Sequence, residues 1–453
     1  MANFELTREF LEDLKNTIDS KNEKLAAEKV ADLHAADIAE IYDELDIDEA
    51  RFLHLLLDDE KGADVLVELE EDVRESFLKN LPAETIARQF IEQMDSDDAA
   101  DIISELPQDV KDEVLSKIND VEQAGDIVDL LNYPEDTAGG LMAKELVAVK
   151  MNWNILTSIR EIRKQAEEVD DIYNVYVVDD DNILKGIISI KKLLLIPTSE
   201  SISTIYDPDI ISVKVDTPDE EVANIMDKYD LVSIPVVDSI GRLVGRITID
   251  DVVDVIREEA EKDYQMASGI SGDVEPSDNV WVLTRARIPW LLIGLFGGIL
   301  SALVMGQYEG DIMKYAGLAL FVPLINAMAG NVGVQSSAIV VQGLANNSLG
   351  LETLSKKLFK ELSVGFTNGI ICSTIIFAYN FFMSDSYSLT ITVSIALFSV
   401  ILFASVFGTF IPLALNRFKI DPALATGPFI TTINDITGLF IYLFIGRIMF
   451  TII

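Results

Sequence analysis

The sequence predicts a three-part fold: an all-α helical-repeat domain, an α/β module built as a tandem repeat, and an α-helical membrane domain with five spans. Three observations carry this reading. A degenerate helical motif recurs within the first 130 or so residues, a two-strand motif recurs once after it at a constant offset, and long uncharged stretches fill the remainder. The charge follows the same division. Net charge is −41, and the acid excess lies in residues 1–279, whereas basic and acidic residues nearly balance from Val280 onward. So acidic a surface repels nucleic acid and anionic lipid and attracts cations, above all divalent ones, each of which neutralises two carboxylates.

The expected domains are an acidic helical domain over 1–132, an α/β unit over 133–200, its second copy over 201–258, a connecting helix and linker over 259–284, and the membrane domain over 285–453. In the first, Ala35-Ala36-Asp37-Ile38 is echoed by Ala99-Ala100-Asp101-Ile102, and Leu81-Pro82-Ala83-Glu84 by Leu106-Pro107-Gln108-Asp109. Short amphipathic helices opening on Leu-Pro or Leu-His turns should stack into an array. His34 and His54 sit in this helical sequence and receive no role. Cys372 is the single cysteine and lies in an apolar stretch, so a disulfide framework and thiolate metal chemistry are excluded. The N-terminus lacks the basic-then-apolar pattern of a signal peptide, which predicts that the first 280 or so residues stay in the cytosol.

In the middle region, Asn174-Val175-Tyr176-Val177-Val178-Asp179 followed by Leu184-Lys185-Gly186-Ile187-Ile188 recurs as Ser233-Ile234-Pro235-Val236-Val237-Asp238 followed by Leu243-Val244-Gly245-Arg246-Ile247. Each copy reads as two strands joined by a turn and leading into a helix. The pair resembles tandem CBS domains, named after cystathionine β-synthase, which pack as one module. The resemblance implies that Gly-x-x-Thr-x-x-Asp can hold an adenosine ribose. Gly245, Thr248 and Asp251 match it, whereas the first copy has Ser189 and Lys192. At most one site per chain for ATP or another adenine nucleotide follows, and a purely structural role for these residues is the alternative.

Uncharged stretches at Ile288–Tyr308, Tyr315–Leu351, Leu362–Ser384, Ser386–Asn416 and Pro422–Gly446 are each long enough to span a bilayer, which takes roughly 20 apolar residues. Arg285/Arg287, Lys356/Lys357/Lys360 and Arg417/Lys419 occupy alternate connections, so by the positive-inside rule that side is cytoplasmic and the C-terminus lies outside. Trp281, Trp290 and Tyr308 fall near expected span ends, where aromatic rings favour the interface.

One carboxylate, Asp435, interrupts the fifth stretch. An ionised group at bilayer depth needs a partner, water or an ion, which makes Asp435 a candidate functional residue. Thr431 and Asn434 lie within about a turn of it, after Pro428. The second stretch carries Gly330-Asn331-Val332-Gly333-Val334-Gln335-Ser336-Ser337, with Asn331 and Gln335 on one face at i, i+4. Interhelical hydrogen bonding is the plain alternative for these amides. An all-oxygen donor set suits Mg²⁺, Ca²⁺ or Mn²⁺, and a homodimer with its pore on the two-fold axis would set two copies of Asp435 against one divalent charge. Mg²⁺ sheds water reluctantly, so a hydrated ion is the expected species.

The ordered combination of acidic helical domain, CBS pair, acidic connecting helix and five spans, with Gly-Asn-x-Gly-x-Gln-Ser in the second and Pro-x-x-Thr-x-x-x-Asp in the fifth, resembles the MgtE family of magnesium channels. The resemblance covers nearly the whole chain. It implies that Asp435 binds Mg²⁺ in a dimeric pore of the cell membrane and that cytosolic Mg²⁺ closes the channel by bridging acidic residues. Candidate bridging residues are Asp97 with Asp101, Asp251 with Asp254, Glu259 with Asp263, and Asp421, the first three pairs at helical i, i+3 or i, i+4 spacing, with Asp98 expected to point elsewhere. A solvated helix face is the alternative for any one of these acids. Two rival functions remain at this stage: an ion-coupled transporter in which Asp435 relays protons, and a nucleotide-sensing receptor that conducts nothing. An enzyme is disfavoured, because there is no nucleophile beside a base, no phosphate-binding loop and no zinc signature.

Overall fold

The computed structural model describes residues 4–79, 81–167, 169, 172–272, 274, 278–345, 354–383, 386–425 and 427–452. Asp273 of the expected linker, Asp385 of an expected outer loop, and the expected span ends Leu351 and Ser384 lie outside the described residues. Two compact units divide the chain, Met1–Ile256 and Arg257–Ile453.

In the first unit, the repeated segments form helices α1 (Ala35–Asp43) and α2 (Ser96–Glu105). His34 caps α1: its Nδ1 accepts from the Ala36 N–H at 3.4 Å, and Asp37 accepts from the His34 N–H at 3.3 Å, a reciprocal capping pair. Each helix buries one apolar stripe, Ile38, Ile41 and Tyr42 in α1 and Ala99, Ala100, Ile102 and Ile103 in α2. His54 is a core residue packed edge-on or tilted against Tyr42, Phe77 and Phe90, and burial pulls its pKa down to about 4.

Strands β1 (Ala148–Lys150), β2 (Val175–Val178) and β3 (Leu184–Ile188) form one sheet, and β4 (Val213–Lys214), β5 (Ser233–Val237) and β6 (Leu243–Thr248) a second of identical order. In both, the first pair is parallel and the second antiparallel, with an irregularity at Val177/Val178 and at Val236/Val237. The two sheets meet through the Tyr176 hydroxyl and Ser233 Oγ, 2.9 Å apart and buried. The helical core continues through Leu130, Ala138 and Met142 into Val213, Ile234 and Val252 of the second copy. The first copy has its own core around Val149, Val177 and Ile188.

Arg74 clamps this unit from the side of α2. Its Nε donates to Glu105 at 3.0 Å and its Nη2 at 2.5 Å, with both side chains about 14 % exposed, and Nη1 donates to the Val67 carbonyl at 3.2 Å. Removing one partner strands the other charge in a shielded place. Arg74→Met should therefore lower the melting temperature of this unit by roughly 8 °C, equivalent to about 3 kcal/mol, whereas an unaltered melting curve would show the pair to be idle.

A single helix α3 (Ile249–Ala267) follows β6, so the expected boundary between second copy and connecting helix falls inside continuous helix. Five apolar helices follow: α4 (Val280–Gln307), α5 (Gly317–Ala345), α6 (Leu354–Met383), α7 (Tyr387–Arg417) and α8 (Gly427–Ile452). The fourth of these, α7, is central, with 56 % of its apolar window buried against 11 % for α4 and α6. Large apolar side chains such as Leu291, Phe296, Ile375 and Phe382 project from α4 and α6, the arrangement expected where lipid is the solvent.

Charges did not stop the helices where the uncharged stretches stop. Helix α4 begins at Val280 and includes Arg285 and Arg287, and α8 runs through Arg447. Arg447 is accommodated because its Nε donates to Asp311 at 2.7 Å and its guanidinium lies 4.3 Å from the Tyr308 ring centre. Trp281 is 80 % exposed, whereas Trp290 and Tyr308 are packed against the protein.

Candidate metal sites

In the membrane unit, α8 lies against α5 because glycine lets it approach. A Cβ on Gly330 would stand 3.2 Å from Thr431 Cγ2 and 3.6 Å from Asp435 Oδ1. A Cβ on Gly408 of α7 would stand 2.4 Å from the Gly333 carbonyl oxygen, so α5 is held closely from its other side as well. Beside this contact is a cleft of about 430 Å³ whose polar lining is Asn326, Gly330, Asn331, Gln335, Thr431 and Asp435. The cleft brings the fifth-span carboxylate to the second-span amides. Thr431 Oγ1 donates to the Gly427 carbonyl at 2.9 Å, which leaves its lone pairs available.

Asn434 stands apart from this lining. It is fully buried, and a Cβ on Gly333 would fall 1.8 Å from its Nδ2. Neither amide atom has a hydrogen-bond partner among the described residues. Proximity in sequence had grouped it with Asp435, but neighbouring helical residues differ by about 100° in direction. Asn326 was missed; continuing the i, i+4 spacing one turn back from Gly330 would have reached it.

In the first unit, Asp95, Asp97 and Glu145 bring a carboxylate oxygen each to within 4.8 Å of one another. Ser96 orders the group, donating to Glu145 through its N–H at 3.2 Å and its Oγ at 2.7 Å. Shielding from water, then Asp98 and Asp251, hold the Asp97 carboxyl well above the usual range. Asp98 is pushed up to about 7 by the same shielding and by Asp251, and Asp251 to about 6, mainly by shielding. Asp98, expected to point away from the face shared by Asp97 and Asp101, lies within the influence of Asp251, Asp101 and Asp95. Helical spacing tells which residues share a face, not which face meets a neighbour. Asp101 is exposed and lies near Glu105, Glu135 and Arg74, and Asp254 is exposed on α3. All donors are oxygen, which fits a hard divalent cation.

The nucleotide motif has a structural use here. Thr248 donates to Asp251 Oδ2 through its N–H at 2.9 Å and its Oγ1 at 2.8 Å, which starts α3, and a Cβ on Gly245 would press within 2.6 Å of Met142 Sδ.

The end of α3 meets the start of α8. Gly427 has φ +54°, and a Cβ there would stand 2.2 Å from the Ala267 carbonyl oxygen; Gly269 has φ +79°, with the corresponding contact to Pro428 at 2.5 Å. Burial, then Asp421 and Glu259, raise the pKa of Asp263. Asp421 itself accepts from the Ala423 N–H at 2.8 Å. Glu259, Asp263 and Asp421 therefore form a second acidic group at this junction.

Comparison with known proteins agrees with this layout. Residues 33–136 match the MgtE intracellular N domain, 138–197 and 202–258 the CBS domain, and 322–445 the MgtE divalent cation transporter domain. The chain is 32 % identical to "Magnesium transporter MgtE" of Bacillus subtilis over 91 % of each chain, and 31 % identical to the protein of the same name from Thermus thermophilus over 96 % of this chain and 97 % of that one. A solved structure, the cytosolic domain of the Mg²⁺ channel MgtE in complex with ATP, is 32 % identical over 54 % of this chain and 99 % of its own, with a TM-score of 0.51. With all three domain types in order and relatives of this identity along nearly its whole length, the chain belongs to the MgtE family.

Proposed function

We propose that this protein is a Mg²⁺-selective channel of the cell membrane, working as a homodimer and closed by cytosolic Mg²⁺. The observation that carries the reading is the cleft in which Asp435 faces Asn331 and Gln335 across Gly330, with Thr431 beside it. Carboxylate, amides and hydroxyl suit a hydrated Mg²⁺, which keeps its water shell and is recognised through it. A second copy of Asp435 across a two-fold axis would balance the ion's charge. The magnesium transporters it resembles support Mg²⁺ as the cargo. The basic loops favour cytoplasmic N-terminal domains and an external C-terminus.

Regulation follows from the acidic groups. Mg²⁺ bound between Asp97 and Asp251 in the first unit, and between Glu259, Asp263 and Asp421 in the second, replaces repulsion by bridging. Asp101 borders the first of these groups, and Asp254, exposed on α3, is a further candidate. The contact of Ala267 and Gly269 with Gly427 and Pro428 gives the connecting helix a direct hold on the helix that bears Asp435. An adenine nucleotide at Gly245, Thr248 and Asp251 is a further ligand of this reading, supported by the ATP complex of the similar cytosolic domain.

Purified protein in liposomes tests the channel reading. Mg²⁺ should enter down its own gradient, and collapsing a proton or Na⁺ gradient should leave the rate unchanged within about twofold. Flux that requires either gradient would make the protein a coupled transporter, and absence of flux would favour a sensor.

A further inference from the structure

We infer that Asn434 is a positioning residue rather than a ligand: seated against Gly333, it sets the rotation of α8 and so the place of Asp435 in the cleft. The inference rests on the reading of Asp435 as the pore carboxylate. Asn434 is fully buried, next in sequence to Asp435, and turned toward α5 where Gly333 leaves no side chain. The fit is close, since a single methyl at Gly333 would overlap Nδ2 and come within 2.9 Å of Ile430 Cγ2.

Gly333 is a fixed reference for this contact. Its carbonyl oxygen is pressed from the far side by α7 at Gly408, so α5 has no room to retreat when α8 is pushed. One turn further along α8, Gly438 packs in the same manner, with a would-be Cβ 3.0 Å from Ala329. The helix is therefore keyed at two successive turns. Asp435 points about 100° around α8 from Asn434, so a rotation that relieves Asn434 carries the carboxylate along the cleft wall.

The chemistry of Asn434 also argues for shape over ligation. Its amide nitrogen and oxygen are buried without a partner among the described residues, and it is absent from the cleft lining. A buried amide in that condition destabilises the helix pair, and an apolar group of the same shape would fill the place at no loss.

The test measures the half-saturating Mg²⁺ concentration of the full chain in liposomes, which does not depend on how much protein is folded. Gly333→Ala should raise it at least about tenfold, because displacing an ion-facing group by a fraction of an ångström to one ångström has effects of that size. Adding Asn434→Ala to Gly333→Ala should return it to within about threefold of wild type, the non-additivity expected of residues in contact. Asn434→Leu alone should stay within about threefold, with an equal or higher melting temperature.

A Gly333→Ala variant with reduced maximal flux but an unchanged half-saturating concentration would overturn the inference and leave a packing role only. Failure of the double variant to recover, or a tenfold or greater rise in Asn434→Leu, would also overturn it, the latter by showing that the amide itself is needed. Should Gly333→Ala not fold, Asn434→Leu decides alone. Asp435→Ala serves as the control. Undiminished flux there would remove the pore reading itself, whereas lost flux together with an unmoved half-saturation in Gly333→Ala would remove only the inference about Asn434.

Discussion

Asp435→Ala should cut Mg²⁺ flux by at least about 100-fold while leaving the protein folded. A carboxylate accepting from metal-bound water makes charge-assisted hydrogen bonds of about 1.5–3 kcal/mol each, and the proposed homodimer would lose two such groups at once. The fold has little to lose by the change. Asp435 is half-buried, its oxygen faces the open side of Gly330, and no ion pair holds it among the described residues. Asp435→Asn separates charge from shape: the amide keeps the volume and one acceptor, so a loss nearly as deep shows that negative charge is what the ion meets. Flux measured with a Mg²⁺-sensitive dye in liposomes, alongside a melting curve, checks both halves. Equal flux in the alanine variant would move the pathway away from α8.

How far a site can be read in sequence depends on whether its members share an element. Asp435 was legible because a lone carboxylate in an apolar run is costly wherever the helix ends up. Asn331 and Gln335 were legible as a pair because i, i+4 spacing puts them on one helix face, and both line the cleft. Asn434 was misplaced as a cleft residue, since its direction is decided by Gly333 on another helix. Asp95 and Glu145 were missed for the same reason: Ser96 binds Glu145 across a long stretch of chain, and no periodicity in α2 announces it. The antiparallel strand pairs β2/β3 and β5/β6 were legible because the same residue types recur at one offset, down to Gly186 and Gly245 opposite Val177 and Val236, whereas the short parallel strands β1 and β4 carry no such repeat and were not read. Helices α4 and α8 run past the uncharged stretches, because a charge ends an apolar run in sequence but not a helix whose charge finds a partner, as Arg447 does in Asp311.

In a variant carrying Asp97→Asn, Asp98→Asn and Asp251→Asn, the internal Mg²⁺ needed for half-inhibition should rise at least about tenfold, with flux at low internal Mg²⁺ retained. Each lost carboxylate removes one charge-assisted contact to the ion or its water, and one such contact alone is worth about a factor of ten. Protons offer an independent check on the same repulsion. The folded-state pKa values of Asp98, about 7, and Asp251, about 6, lie above the ordinary carboxylate value, and Asp97 is raised with them. Groups raised on folding contribute stability that is fully present below the unfolded pKa and is lost as pH rises through the folded one. Without divalent cations, the first unit should therefore gain stability as pH falls from 8 to 6.5, with a rise in melting temperature of roughly 3 °C or more. His54 works in the opposite sense: its depressed pKa of about 4 gives stability that is present above its unfolded value of 6.5 and fades below it, which is why the window stops there. Mg²⁺ at pH 8 should produce the same stabilisation and abolish the pH dependence, because both neutralise one set of carboxylates. The triple variant should lose the response to Mg²⁺ and most of the response to pH, with Asp101, raised to about 7 by shielding and by Glu135, left to titrate in this window. A wild-type protein whose melting temperature ignores Mg²⁺ between pH 8 and 6.5, or a triple variant inhibited by internal Mg²⁺ as wild type is, would remove this cluster from the gate and leave regulation to Glu259, Asp263 and Asp421, where α3 meets α8.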